Sequence, residues 1–277
     1  MQTELNLLAV DWDYFFPNPT ISANFHEFET PGLYLWDHKE TPFHTSPLVW
    51  ANRASGFLHY GLELPRVKGW EGFWDRFQFS EDGVVLTYGD SNLHAGRLFP
   101  STFGLDEEWG VPDRWTTVSL YDAHHDCGYQ GTGSYEKWEA RGTLTCEDWM
   151  LNHHRHGSRL EVTYPAWRGA VEGIEPPPLV PVDRRVDDGT TPDRVYDAIY
   201  VCRSGAWVPP WCDEEFTAFL EAAPGMWRSL VPGEDDWEHP RPDVVAMAQE
   251  ASEKRARADE MLARLRTQQG GQGEGQS

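Results

Sequence analysis

Apolar residues gather in a few short runs set between long polar stretches. Leu7-Leu8-Ala9-Val10, Val84-Val85-Leu86, Val118-Ser119-Leu120 and Ala198-Ile199-Tyr200-Val201-Cys202 are the clearest. They are too short for buried helices and rich in β-branched or aromatic residues, so they predict strands. Helical signals lie between them. Leu48, Val49, Phe57 and Leu58 predict a short helix over 46–60, and Trp70, Phe73, Trp74 and Phe77 give 70–79 an amphipathic look. Ser91-Asn92-Leu93-His94-Ala95-Gly96 reads as the start of a helix after a strand. Thr145-Cys146-Glu147-Asp148-Trp149 opens another, with a capping residue and acids in its first turn. Further helices are predicted from 213 to 220 and over the Ala/Glu/Arg-rich 243–266, while 20–50 and the proline- and acid-rich 170–192 read as loops.

Strand–loop–helix units of this kind predict an α/β fold with a mainly parallel sheet. Ligands of such sheets bind at the carboxyl ends of the strands. The expected organisation is one domain over 1–240, a C-terminal helix over 241–267 and a Gly/Gln-rich flexible tail over 268–277.

Composition narrows the function classes. With 39% hydrophobic residues and fourteen tryptophans spread along 277 positions, the chain is globular and packed throughout. It has no run of 18 apolar residues and no basic or apolar leader, so neither a membrane span nor a signal peptide is expected. The net charge of −22 repels nucleic-acid phosphates and anionic lipid, and attracts metal ions and cationic substrates. The four cysteines follow no CxxC pattern, which points to a reducing cytoplasm. Carboxylates beside Cys127 disfavour its thiolate.

The chemistry concentrates at two strand ends. In Ser119-Leu120-Tyr121-Asp122-Ala123-His124-His125-Asp126-Cys127, Asp122, His124 and Asp126 recur with a period of two. On an extended segment, side chains at that spacing point the same way. Two carboxylates and an imidazole converging on one point call for a cation between them. The first strand likewise runs into Asp11-Trp12-Asp13-Tyr14-Phe15. Arg203-Ser204, at the end of a later strand, is a candidate substrate-carboxylate site or a structural salt bridge.

Asp122-Ala123-His124-His125-Asp126 resembles the Asp-Ala-His-x-Asp signature of the arginase/agmatinase (ureohydrolase) superfamily, which histone deacetylases share in looser form. Asp11-x-Asp13-Tyr14-Phe15 resembles that superfamily's Asp-x-Asp strand end. It is closest to the arginase-like family that includes peptide arginases, which convert peptidyl arginine to ornithine. Glu147-Asp148-Trp149 looks like the helix start that follows in that group. The two main motifs stand in reversed order here, so the resemblance implies a circularly permuted, three-layer arginase/deacetylase-like fold.

The resemblance implies a site for two Mn²⁺, with Zn²⁺ or Fe²⁺ as alternatives. Asp122 and Asp11 would bridge, His94 and Asp126 would complete one ion, and His124 and Asp13 the other. Two adjacent cations would lower the pKa of a shared water toward neutrality, for attack on a guanidinium or amide carbon. His125, His153 or His154 would protonate the leaving amine, with Glu147 in the catalytic set. The expected activity is hydrolysis of a C–N bond in a cationic small molecule or peptide, arginine or peptidyl arginine going to ornithine and urea. The alternatives are an amide deacetylase of the same fold and a non-catalytic metal-binding module.

Overall fold

The apolar runs become the middle of one parallel sheet. A computed structural model describes residues 4–27, 30–36, 38–41, 46–81, 83–105, 113–229 and 243–270. In chain order the strands and α-helices among them are β1 (Asn6–Asp11), α1 (Pro47–His59), β2 (Gln78–Phe79), β3 (Val85–Gly89) and β4 (Thr117–Tyr121). Next come α2 (Tyr135–Arg141), α3 (Met150–Arg155), β5 (Arg159–Tyr164), β6 (Asp183–Val186) and β7 (Val195–Tyr196). Last are β8 (Ala198–Cys202), α4 (Asp213–Glu221), β9 (Met226–Ser229) and α5 (Val244–Gly270). Seven strands form a sheet in the order β6-β5-β4-β1-β8-β3-β9, all neighbours parallel, and β2 pairs with β7 apart from it.

The central strand β1 is buried along its whole length, and its alternating side chains feed two cores. Leu8 and Val10 join Ile199 and Val201 of β8 and Phe216, Phe219 and Leu220 of α4 on one face. Leu7 and Ala9 join Val118 and Leu120 of β4, with Met150 and Leu151 of α3, on the other. Helices therefore cover both faces, which makes a three-layer α/β fold. On α1, Trp50, Ala51 and Ala54 pack against Val244 and Ala248 of α5 in a smaller, separate cluster.

Several local expectations are corrected. Residues 70–79 form no α-helix: Gly69 and Gly72 adopt left-handed backbone (φ 73° and 69°), and only a 3-10 turn (Trp74–Arg76) precedes β2. The helix placed at Thr145 starts at Met150, because the carboxylate of Asp148 folds back to accept from the Thr145 N–H at 2.8 Å and closes a turn first. Residues 91–96 start no α-helix and lead only into a 3-10 turn, Ala95–Arg97. The 170–192 stretch is not all loop, since β6 lies within it. The C-terminal helix runs to Gly270, and 271–277 of the expected tail lies outside the described residues.

Candidate metal centre

Register brings the acidic strand ends side by side. Val10 of β1 pairs with Tyr121 of β4, so Asp11 and Asp122 leave the sheet as neighbours. Gly89 of β3 and Asp11 of β1 both pair with Cys202 of β8, which places the segments after β3 and β8 at the same edge. This is the carboxyl-end crevice of an open parallel sheet.

Each strand end is bent into the crevice by its own carboxylates. Asp11 Oδ1 accepts from the Asp13 N–H at 2.9 Å, starting a 3-10 turn (Trp12–Phe15) that carries Asp13 inward. Asp122 Oδ1 accepts from the His124 N–H at 2.7 Å, and Asp13 Oδ1 accepts from the Ala123 N–H at 3.2 Å. These local bonds offer the chain an alternative to continuing the strand. Among the described residues, only two outside glycine have left-handed backbone, Asp126 (φ 49°) and Ser204 (φ 58°). Both line the crevice. Such conformations persist where the surrounding structure holds them, often at functional sites.

The result is a cavity of about 220 Å³ lined by Asp11, Asp13, Asp122, His124 and Asp126, together with His38, Asn92 and Ser204. Asp11, Asp13, Asp122 and Asp126 are all at most 6% exposed. Ligand atoms of Asp13, Asp122 and His124 lie within 4.8 Å of one another. His124 Nδ1 stands 3.1 Å from Asp13 Oδ2 and 3.5 Å from Asp122 Oδ1.

Burial, with the charge of Asp13, pushes the Asp11 and Asp122 carboxyls well above their usual range; burial and Asp122 do the same to Asp126. Burial opposes charge on Asp13 and His124 too, but their mutual bond outweighs it, lowering the Asp13 pKa and raising that of His124 to about 9. The donor set is oxygen-rich with one imidazole, which fits a hard divalent cation such as Mn²⁺.

The crevice opens into a second cavity of about 600 Å³, and Glu40, Tyr129, Cys146, Glu147 and Trp207 line both. Glu147 stands exposed at the junction. Lys39, Lys137 and Arg141 line the outer cavity.

The structure gathers five of the six ligands expected from sequence: Asp11, Asp13, Asp122, His124 and Asp126. His94 is not among the residues lining the crevice. The segment after β3 sends in Asn92 instead, whose Nδ2 donates toward Asp11 Oδ2 (2.7 Å), Asp126 Oδ2 (2.9 Å) and Asp122 Oδ2 (3.2 Å).

Two expected proton carriers are tied to backbone. His125 is fully buried, its Nδ1 accepting from the Cys127 N–H at 3.1 Å and its Nε2 facing the Pro176 carbonyl at 2.9 Å. His153 is equally buried, with Nε2 at 2.9 Å from the Ala95 carbonyl. His154 sits on α3 against the Tyr135 ring and lines neither cavity. Arg203 is 1% exposed and spends its guanidinium on Asp213 and on the Val208 and Pro209 carbonyls, so of the Arg203–Ser204 pair only Ser204 reaches the crevice.

His38, in a stretch whose sequence predicts a loop and gives no metal-ligand spacing, also lines the crevice. Its Nδ1 faces the Ala206 carbonyl at 3.3 Å, which fixes the proton on Nδ1 and leaves a lone pair on Nε2. Nε2 is buried without a hydrogen-bond partner. Burial lowers the pKa to about 4, and the ring stacks on Trp207. Trp149, part of the Glu147-Asp148-Trp149 motif, donates from Nε1 to Asp126 Oδ2 at 2.7 Å. Comparisons of the chain with known protein families, with curated proteins and with solved structures find no match.

Proposed function

We propose that this protein is a divalent-cation-dependent hydrolase of C–N bonds, with a guanidino group, as in arginine or peptidyl arginine, as its substrate and ornithine and urea as products. The observation that carries the reading is the Asp13–Asp122–His124 group, two buried carboxylates and a half-buried imidazole, beside an open cavity. Structural metal sites are closed by protein ligands, whereas catalytic ones leave room for water and substrate. Here the ligand atoms face about 220 Å³ of space that continues into a larger cleft. That favours turnover over a non-catalytic binding module.

A divalent cation at these residues would supply Lewis acidity and lower the pKa of water toward neutrality. The chain's own groups supply the rest. His38, kept neutral by burial, offers the unpartnered lone pair of Nε2 as a hydrogen-bond acceptor that orients the attacking water, and the proton the water releases goes to the leaving amine. Its Nδ1–H bond to the Ala206 carbonyl holds the tautomer this requires. Glu40 and Glu147, at the junction of the two cavities, attract a cationic group toward the carboxylates. Trp207, stacked on His38, shields that side from solvent.

The test is urea and ornithine release from arginine, agmatine and an arginine-containing peptide, with Mn²⁺ and with a chelator. Mn²⁺-dependent urea that disappears in Asp122→Ala/Asp126→Ala supports the reading. Acid release from acetylated amines without urea would move the protein to an amide deacetylase. Cation binding with no turnover of either class would leave a binding module.

A further inference from the structure

Asn92 divides the carboxylate cluster into two unlike halves. It is 3% exposed, and its Nδ2 stands at the point where Asp11 Oδ2, Asp122 Oδ2 and Asp126 Oδ2 converge. Three carboxylate oxygens from two different strand ends, aimed at one point, make the geometry of a cation subsite. An amide nitrogen fills it.

The carboxylates of this half are already engaged. Asp11 Oδ1 accepts from the Asp13 N–H and Oδ2 from Asn92. Asp126 Oδ2 accepts from both Asn92 and the Trp149 indole. In the other half, Asp13 Oδ2, Asp122 Oδ1 and His124 Nδ1 converge. Among the described residues, the donors to these two carboxylates' inner oxygens are the backbone N–H groups of Ala123 (to Asp13 Oδ1) and His124 (to Asp122 Oδ1), with no side-chain amide or indole. Asp122 serves both halves, with Oδ1 toward His124 and Oδ2 toward Asn92.

We propose that the site takes one divalent cation, at Asp13–Asp122–His124, and that the Asn92 amide occupies the position a second ion would need. The inference rests on reading the cluster as a cation site, and it departs from the two-ion arrangement expected from sequence. Asn92 supplies two N–H dipoles where a second ion would supply two charges. It holds Asp122 at the angle at which Oδ1 can serve the first ion, and so acts as a positioning residue. The one group that would join a second ion from this position is Asn92 Oδ1, which lies buried without a partner on the far side of the amide. Recruiting it would require the amide to turn over and break all three contacts to the carboxylates.

The experiment is Mn²⁺ stoichiometry of the full chain by calorimetry and elemental analysis, with the electron paramagnetic resonance spectrum of the loaded protein. The wild type is expected to take one equivalent and to show an uncoupled Mn²⁺ spectrum. Asn92→Ala keeps one equivalent, with affinity weakened about 10- to 100-fold as for loss of an outer-shell partner. Asn92→Asp, which adds a carboxylate where the amide stood, takes a second equivalent. Two equivalents in the wild type with a spin-coupled spectrum, one of them lost in Asn92→Ala, would overturn the proposal and make Asn92 Oδ1 a ligand. No bound cation in any form would overturn it together with the hydrolase reading. One equivalent without urea release would remove the hydrolase reading alone and leave the single-ion assignment standing.

Discussion

Around β5 and β6 the sheet carries many charges, and they come in opposite pairs. Arg194 meets Glu161 through two bonds of 2.8 and 2.9 Å, Arg159 reaches Asp183 at 2.7 Å, and Arg184 reaches Glu172 at 2.6 Å. At the carboxyl ends of β1 and β4 the same residue types are arranged the other way. Four carboxyl groups are buried together, with one imidazole at ion-pair distance and one amide and one indole as side-chain donors. Pairs at a sheet edge add modestly to stability. Like charges gathered indoors subtract from it, and such a cluster persists where function selects it. Charge alone therefore marks neither region as a site; burial without internal compensation does.

The largest expected effect tests a buried cation beside the cluster. Arg168 is fully buried, donates to the Ala123 carbonyl inside the Asp122–Asp126 loop, and pairs with Glu175 at 2.8 Å. Its guanidinium lies 3.6 Å from the Tyr164 ring centroid. Arg168→Ala leaves the buried Glu175 carboxylate without its cation and with only the Tyr164 hydroxyl, at 2.9 Å, as donor, so chemical denaturation is expected to show a loss of about 3 kcal/mol. A loss below about 1 kcal/mol, the range of exposed pairs, would erase the distinction between this region and the sheet edge.

His153 shows a third way to bury a titratable group, by keeping it neutral. Burial lowers its pKa from 6.5 to about 4. The unfolded chain therefore binds a proton at a higher pH than the folded one. Stability from the neutral ring is complete above about pH 6.5 and is lost as pH falls toward 4. The shift corresponds to about 3 kcal/mol at the acid end of that window. His153→Gln keeps a donor for the Ala95 carbonyl but does not titrate. Its unfolding free energy should vary less between pH 7 and pH 4 than that of the wild type; equal slopes would show that the ring titrates normally.

Within the cluster, Asp126→Asn replaces a carboxyl whose charge burial disfavours by a neutral amide, while keeping an acceptor for Trp149 and a residue that tolerates left-handed backbone. The cation-free protein is expected to gain about 1–2 kcal/mol, as when function is traded for stability. A loss of stability would mean that the four carboxyl groups are already compensated within the chain.

The sequence makes the inner sheet legible because β1, β4 and β8 are buried on both faces and so read as apolar runs. Strands β5 and β6 escape the same reading. Arg159 and Glu161 alternate with Leu160 and Val162, and β6 reads Asp-Arg-Arg-Val, so pairing and position rather than hydrophobicity make them strands. At the site, the period of two after β4 correctly groups Asp122, His124 and Asp126. It says nothing of His125, which the same spacing turns into the protein. Asn92 and His38 arrive from other segments, and only the strand order places those segments at the crevice. Asn92 is also not a residue type that marks a metal site in sequence, whereas His94, two residues on, is.

The smallest effect lies at the sheet edge. Arg194 and Glu161 are 17% and 15% exposed, and Ser119 Oγ joins the pair at 3.2 Å from Arg194. Their two-bond geometry is favourable, but solvent reaches both partners, so a double-mutant cycle on Arg194→Met and Glu161→Gln is expected to give a coupling of about 1 kcal/mol. That coupling should fall as salt is raised, since partly exposed pairs are screened. A coupling of several kcal/mol that ignored salt would make this edge as dry as the carboxylate crevice. The contrast between the two regions would then rest on pairing alone and not on burial.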